Sequence, residues 1–180
     1  MTRRLVLLRH AKSAWPDLPD HERPLAKRGR RDAPAVGSWL REMGCMPDRV
    51  LCSTARRTRE TWRLMAPGLG ADPPAMSYED RVYEAHCETL LDLARQTEPT
   101  ASCLLIIGHN PGIQDLALML ASTPDGGTEA DLLQRATARF PTAAVAVLAF
   151  AGAWSRLGAG RARLISFVTP SDLRQPDQPP

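Results

Sequence analysis

The chain has 180 residues, a formal net charge of +3 and 43% hydrophobic residues, which fits one globular domain with a substantial core. The small positive excess admits an anionic substrate but does not point to nucleic acid: RNA binding would interleave aromatic residues with the basic clusters at 27–31 and 56–59, and only Trp62 lies near the second. No segment is long enough to span a membrane, and the apolar run in MTRRLVLLRH is too short for a signal peptide. The cysteines, Cys45, Cys52, Cys87 and Cys103, show no CxxC spacing and read as buried reduced thiols of a cytoplasmic protein.

Residues 4–8 read as a short buried strand that runs into Arg9 and His10. A polar loop with prolines, WPDLPDHERP, follows. The next helix has an apolar stripe at Ala33, Val36, Leu40 and Met43. Pro34 leaves two readings: Asp32 caps a helix with Pro34 in its first turn, or a longer helix from Ala26 kinks at Pro34. Gly44 closes it. Residues 49–52 predict the second strand, and Ser53 an N-cap for a helix through Met65. A third strand is expected at 76–78 and a helix at 88–96. CLLII, at 103–107, is the clearest strand and is ended by Gly108. Asn110 is expected to cap the next helix, with Pro111 at its first position, running to about Ala121. A short helix near 130–135 follows STPDGG. Strands at 142–150 and 161–168 are joined by GAWSRLGAG. The tail SDLRQPDQPP, 171–180, reads as a disordered extension of a domain covering 1–170.

Strands alternating with helices imply an α/β fold around a mostly parallel sheet, whose ligands bind outside the carboxyl ends of the strands. Three such ends carry unusual residues. The first strand ends in Arg9-His10. The second leads through Ser53 into a helical turn with Arg57. The strand at 103–107 ends in Gly108-His109-Asn110-Pro111. If these strands are parallel neighbours, two arginines and two histidines converge. That set suits a phosphoryl group: guanidinium forks grip its oxygens, one imidazole attacks phosphorus, and another donates to the developing charge. Taken singly, each residue has a plain structural reading; the conjunction carries the inference. Arg57 in a first helical turn opposes the helix dipole, a conflict that a bound anion relieves.

These motifs resemble those of the histidine phosphatase (phosphoglycerate mutase-like) superfamily. L-R-H-A-K-S looks like its phosphatase signature, S-T-A-R-R-T-R-E-T its second-arginine motif and G-H-N-P its second-histidine motif. D-H-E-R-P-L-A-K-R-G is similar to the SixA-type branch of small phosphohistidine phosphatases. The likeness runs from about Arg4 to Thr169. It implies a single-domain, three-layer α/β/α fold with a mostly parallel central sheet. With no large insertion between motifs, a cap domain is not expected.

The resemblance also implies roles. His10 would be the nucleophile that becomes phosphohistidine. Arg9, Arg57 and His109 would form the phosphate pocket, with Ser13 as a further substrate-binding residue. Glu84, in R-V-Y-E-A, lies where many members carry the general acid, although a surface glutamate before a helix fits the position equally. SixA-type members often lack this acid, so Glu84 would widen the substrate range. Ala11 replaces a commoner glycine, and Pro16 stands where the mutases have asparagine. His21 and His86 read as surface residues.

The expected activity is a metal-independent phosphatase without cofactor. Its substrate would be a phosphorylated (phosphohistidine) protein or, alternatively, a small phosphomonoester, with neither nucleic acid nor membrane as partner. The oligomeric state stays open, a monomer being the simpler expectation. The basic stretch 27–31 suits docking of an acidic partner or a solvated helix face. Two other classes stand beside this. One is a metal site built from His10, His109 and Glu84, which two arginines would disfavour. The other is a phosphate-binding module without catalysis.

Overall fold

The computed structural model describes residues 1–70, 74–124 and 126–174. A six-stranded sheet has the order β3-β2-β4-β1-β5-β6, with β1 Thr2–Arg9, β2 Arg49–Cys52, β3 Ala75–Tyr78, β4 Cys103–Gly108, β5 Val145–Ala151 and β6 Arg163–Val168. The pairs β3–β2, β2–β4 and β4–β1 are parallel, and β5 runs antiparallel to both β1 and β6. The central strands are buried on both faces, so residues 5–8 of β1 and Cys103–Gly108 of β4 read as apolar runs rather than alternating ones.

Side-chain alternation sorts those runs into two cores. Leu5, Leu7, Leu104 and Ile106 pack with α3 Cys87–Arg95, α4 Gly112–Leu120 and α5 Gly127–Ala138. Val6, Leu8, Leu105 and Ile107 pack with α1 Lys27–Glu42 and α2 Arg56–Leu69. The result is the three-layer α/β/α fold that the family resemblance implies.

Helix α1 takes the longer of its two readings, with Ala26 at its N-cap and Pro34 inside it. Asp32 is therefore no cap. It is buried within the helix and meets Arg28 at 3.4 Å and Arg174 at 3.8 Å. Arg174 follows a short helix, α6 Pro170–Leu173, closed by a Thr169–Asp172 capping box. The segment from 171 to 174 is thus ordered against α1, while residues 175–180 of the expected tail lie outside the described residues. The start of α1 is fixed by a close approach: a Cβ on Gly29 would stand 2.2 Å from the Lys12 carbonyl oxygen.

Two expected caps are not formed. Helix α2 begins after Ala55, and α4 after Pro111. Ser53 and Asn110 turn their side chains to other partners, described below. The cysteines are all free, with Cys87 half-buried and the other three buried. Burial pushes the Cys52 and Cys103 thiols up to about 12, so both stay protonated and inert. No described helix is long and apolar enough to cross a membrane.

Helices α1 and α2 cross where Gly37 meets Met65, and a Cβ on Gly37 would lie 2.0 Å from the Met65 carbonyl oxygen. Gly37→Ala should therefore cost about 1–3 kcal/mol of stability. Denaturant unfolding with an unchanged slope is the check, and an unchanged midpoint would mean that the helices do not approach so closely.

Candidate active site

The strands β2, β4 and β1 lie side by side and parallel, as the convergence of the motifs requires. Ile107 is in register with both Leu8 and Cys52, and Gly108 with Arg9. Pairing continues one step past the apolar residues. The His10 amide donates to the Gly108 carbonyl and the Ser53 amide to the Ile107 carbonyl, each at 3.0 Å. The sheet thus delivers Arg9, His10, Ser53 and His109 in one layer. A cavity of about 230 Å³ opens there, lined by all four core residues, Ser13 and Glu84 among others.

His10 is 7% exposed. Its Nδ1 lies 2.7 Å from the Ala11 carbonyl oxygen, which can only accept, so Nδ1 carries the hydrogen and Nε2 keeps its lone pair. The Ala11 amide in turn donates to Thr61 Oγ1 at 3.0 Å, and that hydroxyl donates to the Arg57 carbonyl at 2.7 Å. One threonine of α2 therefore ties the loop holding His10 to the helix holding Arg57. Burial, opposed by the Ala11 bond and reinforced by Arg57, Arg9 and Arg23, pushes the imidazole down to about 3. The His10 imidazole is neutral at ordinary pH.

Arg57 is 5% exposed, and its guanidinium faces inward from the first turn of α2. Nη1 donates to the Asp20 carbonyl at 2.7 Å, and Nη2 to Asp20 Oδ2 at 2.9 Å and to His109 Nδ1 at 3.2 Å. Because Arg57 only donates, His109 accepts at Nδ1 and carries its hydrogen on Nε2, 2.8 Å from Ser53 Oγ. Burial pushes His109 down to about 2, with His10, Arg57 and Arg9 adding to the shift and Asp20 opposing it. The two imidazole rings are 5.2 Å apart, and Tyr83 stands edge-on to His109 at 5.5 Å.

Asp20 is the one carboxylate bonded to Arg57 among the described residues. Burial would raise its carboxyl, but hydrogen bonds from Arg23 and Tyr83, with the charge and bond of Arg57, outweigh that and hold it at about 2.

Arg9 donates from Nη1 to the Phe140 carbonyl at 2.8 Å, and its Nη2 has no hydrogen bond among the described residues. Burial lowers its pKa, yet a guanidinium stays charged. Ser13 is buried and accepts from Arg23 Nη2 at 2.7 Å, so it positions a third cation at the cavity. The Arg23 guanidinium also lies 3.2 Å from the centre of the exposed Trp15 ring. Glu84 is exposed on the cavity wall, unpaired among the described residues, at φ +50°. A residue other than glycine in that left-handed region is uncommon and tends to mark functional positions. The conformation is pressed in place by α4, since a Cβ on Gly112 would meet the Ala85 carbonyl oxygen at 2.0 Å.

Every residue assigned to the site from sequence lines this cavity. Sequence reading missed Asp20, Arg23, Tyr83, Thr61 and the use of Ser53. Asp20 and Arg23 lie in the D-H-E-R-P-L motif, so a signal existed, but a proline-rich loop gave no reason to fold back over the strand ends. His86 is exposed as expected; His21 is half-buried, 3.1 Å from Thr54 Oγ1 and edge-on to Tyr83. Among the described residues no three His, Cys, Asp or Glu side chains are grouped to hold a metal ion, so the triad of His10, His109 and Glu84 is not assembled.

The chain matches the family model of the histidine phosphatase superfamily (branch 1) over residues 5–102. An uncharacterized protein of Mycobacterium tuberculosis is 42% identical over 164 residues, covering 91% of this chain and 99% of the relative. A solved structure from Nakamurella multipartitia, named for the phosphohistidine phosphatase SixA, is 32% identical with a TM-score of 0.81, covering 94% of this chain and 97% of that one. A similarly named Agrobacterium tumefaciens structure is 34% identical with a TM-score of 0.73, covering 93% and 98%. The chain belongs to the histidine phosphatase superfamily.

Both site imidazoles, ordinarily near 6.5, should stay neutral well into acid. Their ring nitrogen shifts should hold constant from about pH 7 to about pH 4, read by NMR with His10→Gln and His109→Gln for assignment. The unfolded chain binds more protons in that range, so stability should fall with pH below about 6.5. A titration midpoint near 6.5 for either ring would show that burial does not govern them.

Proposed function

We propose that this protein is a phosphatase working through a covalent phosphohistidine at His10, with phosphohistidine on a protein as its best-supported substrate. The observation that carries the reading is the His10 tautomer: Nδ1 is tied to the Ala11 carbonyl, and Nε2 is left free on the cavity side of two guanidinium groups. In the first step Nε2 forms a bond to phosphorus as the substrate's P–N or P–O bond breaks. In the second, water attacks phosphorus, the P–Nε2 bond breaks, and inorganic phosphate leaves. Arg9 and Arg57 hold the equatorial oxygens in both steps.

His109 acts from Nδ1. Without substrate that nitrogen accepts from Arg57. When a phosphoryl group takes the Arg57 fork, Nδ1 is released. The nearby anion favours a proton there, and the Ser53 hydroxyl accepts from Nε2–H when that nitrogen is protonated or donates to Nε2 when it is bare. His109 then donates to the developing charge. The positive charge comes from guanidinium groups, so the reaction needs no metal ion and no cofactor.

The small structural relatives named for SixA, and the cavity with no inserted domain over it among the described residues, support a protein substrate. Glu84 favours the second reading, a small phosphomonoester. An alkoxide leaving group needs a proton, and a positioned carboxylic acid contributes about 10²–10⁴-fold. An imidazole leaves with little help. Glu84→Gln should then depress phosphomonoester turnover severely and phosphohistidine turnover slightly, in assays with EDTA present, whereas Arg57→Ala should damage both. Equal small losses for Glu84→Gln would make Glu84 a surface residue and phosphohistidine the stronger substrate. Loss of all activity in EDTA, restored by one divalent ion, would contradict the mechanism.

A further inference from the structure

A second cavity, of about 380 Å³, adjoins the catalytic one and shares Arg9, Lys12, Asn110 and Thr142 with it. The wall between them is a built one. The Phe140 carbonyl accepts from Arg9 Nη1 at 2.8 Å and from Asn110 Nδ2 at 3.2 Å, and Asn110 is held in turn by Gln114 at 3.1 Å. Around this wall stand Arg9, Lys12, Arg28 and Arg139, and no carboxylate lines the cavity among the described residues. Lys12 and Arg139 make no ion pair there. Arg28 reaches Asp32 at 3.4 Å, a carboxylate it shares with Arg31 and Arg174.

Four cations around one small cavity repel one another and gain little in an empty site. Two come from the loop after β1 and the start of α1, which the close packing of Gly29 on Lys12 holds together. Arg139 comes from the far side, between α5 and β5. Arg9 belongs to both cavities, so an anion held here is a near neighbour of the phosphoryl group.

We infer that this cavity binds a second anionic group of the substrate, a carboxylate or phosphate, while the phosphoryl group sits on Arg9, His10, Arg57 and His109. The inference rests on the phosphoryl site proposed above and adds that the substrate is bis-anionic near its reacting phosphorus. Two sources supply that chemistry: a small phosphomonoester with a second acid group, or an acidic side chain beside a phosphohistidine.

Calorimetric binding of methylenebisphosphonate and methylphosphonate, which needs no turnover, tests this. Wild type should bind the bisphosphonate about tenfold more tightly. Arg139→Ala should reduce that advantage and Arg139→Glu abolish it, with methylphosphonate affinity unchanged within about twofold. Arg139 is exposed, so both variants should fold. Equal affinity of the two phosphonates for wild type, or an advantage that survives Arg139→Glu, would overturn the inference. Methylphosphonate binding that survives Arg57→Ala would instead overturn the phosphoryl site, and no binding of either compound would overturn both. Turnover of phosphohistidine peptides with glutamate or alanine beside the histidine separates the sources. A glutamate preference lost in Arg139→Glu identifies an acidic protein segment, and its absence, with the bisphosphonate advantage intact, identifies a small molecule.

Discussion

The buried Arg57, the half-buried Arg9 and two buried imidazoles meet at the ends of three parallel strands, where the Asp20 carboxylate is too little negative charge for all four to be charged. The arginines keep their protons under any working condition, so the histidines give theirs up. Burial together with this repulsion pushes His10 to about 3 and His109 to about 2. The cost of burying cations is thereby turned to use, because a neutral His10 is a nucleophile and a protonated one is not. On the function proposed above, a phosphoryl dianion would supply the further negative charge that such a site favours.

The surrounding structure keeps this cluster in order. Thr61 fixes the Ala11 peptide, and Ala11 fixes the His10 tautomer. Ser53 accepts or donates at His109 without moving. Asp20 meets Arg57 with both its carbonyl and its carboxylate, and Tyr83 and Arg23 hold that carboxylate in place. Asp20 satisfies the Arg57 guanidinium, which the function proposed above has a phosphoryl group take over. Among the described residues, Arg57 and both imidazoles are thus held by partners in the cavity, whereas Arg9 bonds only through Nη1 and its buried Nε has no partner.

The fold was legible because β4 and residues 5–8 of β1 are apolar runs buried on both faces and β2 is a short strand half-buried on one face, each followed by a chemically odd residue. The core site was legible for the same reason: a strand end in a parallel sheet has one place to point. What escaped was set by contacts distant in sequence. Ser53 has the chemistry of an N-cap, but the neighbouring strand offered it His109, and the helix began two residues later without it. Asp32 reads as a cap, yet the approach of Gly29 to Lys12 starts α1 earlier and buries Asp32 among arginines. Asp20 and Arg23 sit in a loop whose composition says only that it turns; that it turns back over the site follows from its pairing with the Lys12–Ala14 backbone.

The central claim is that His10 itself carries the phosphoryl group. Brief reaction with a phosphodonor labelled at phosphorus, followed by quenching in base and peptide mapping, tests it most directly. The account predicts an acid-labile, base-stable adduct on His10 that is absent from His10→Ala. Label incorporated equally well into His10→Ala would contradict it.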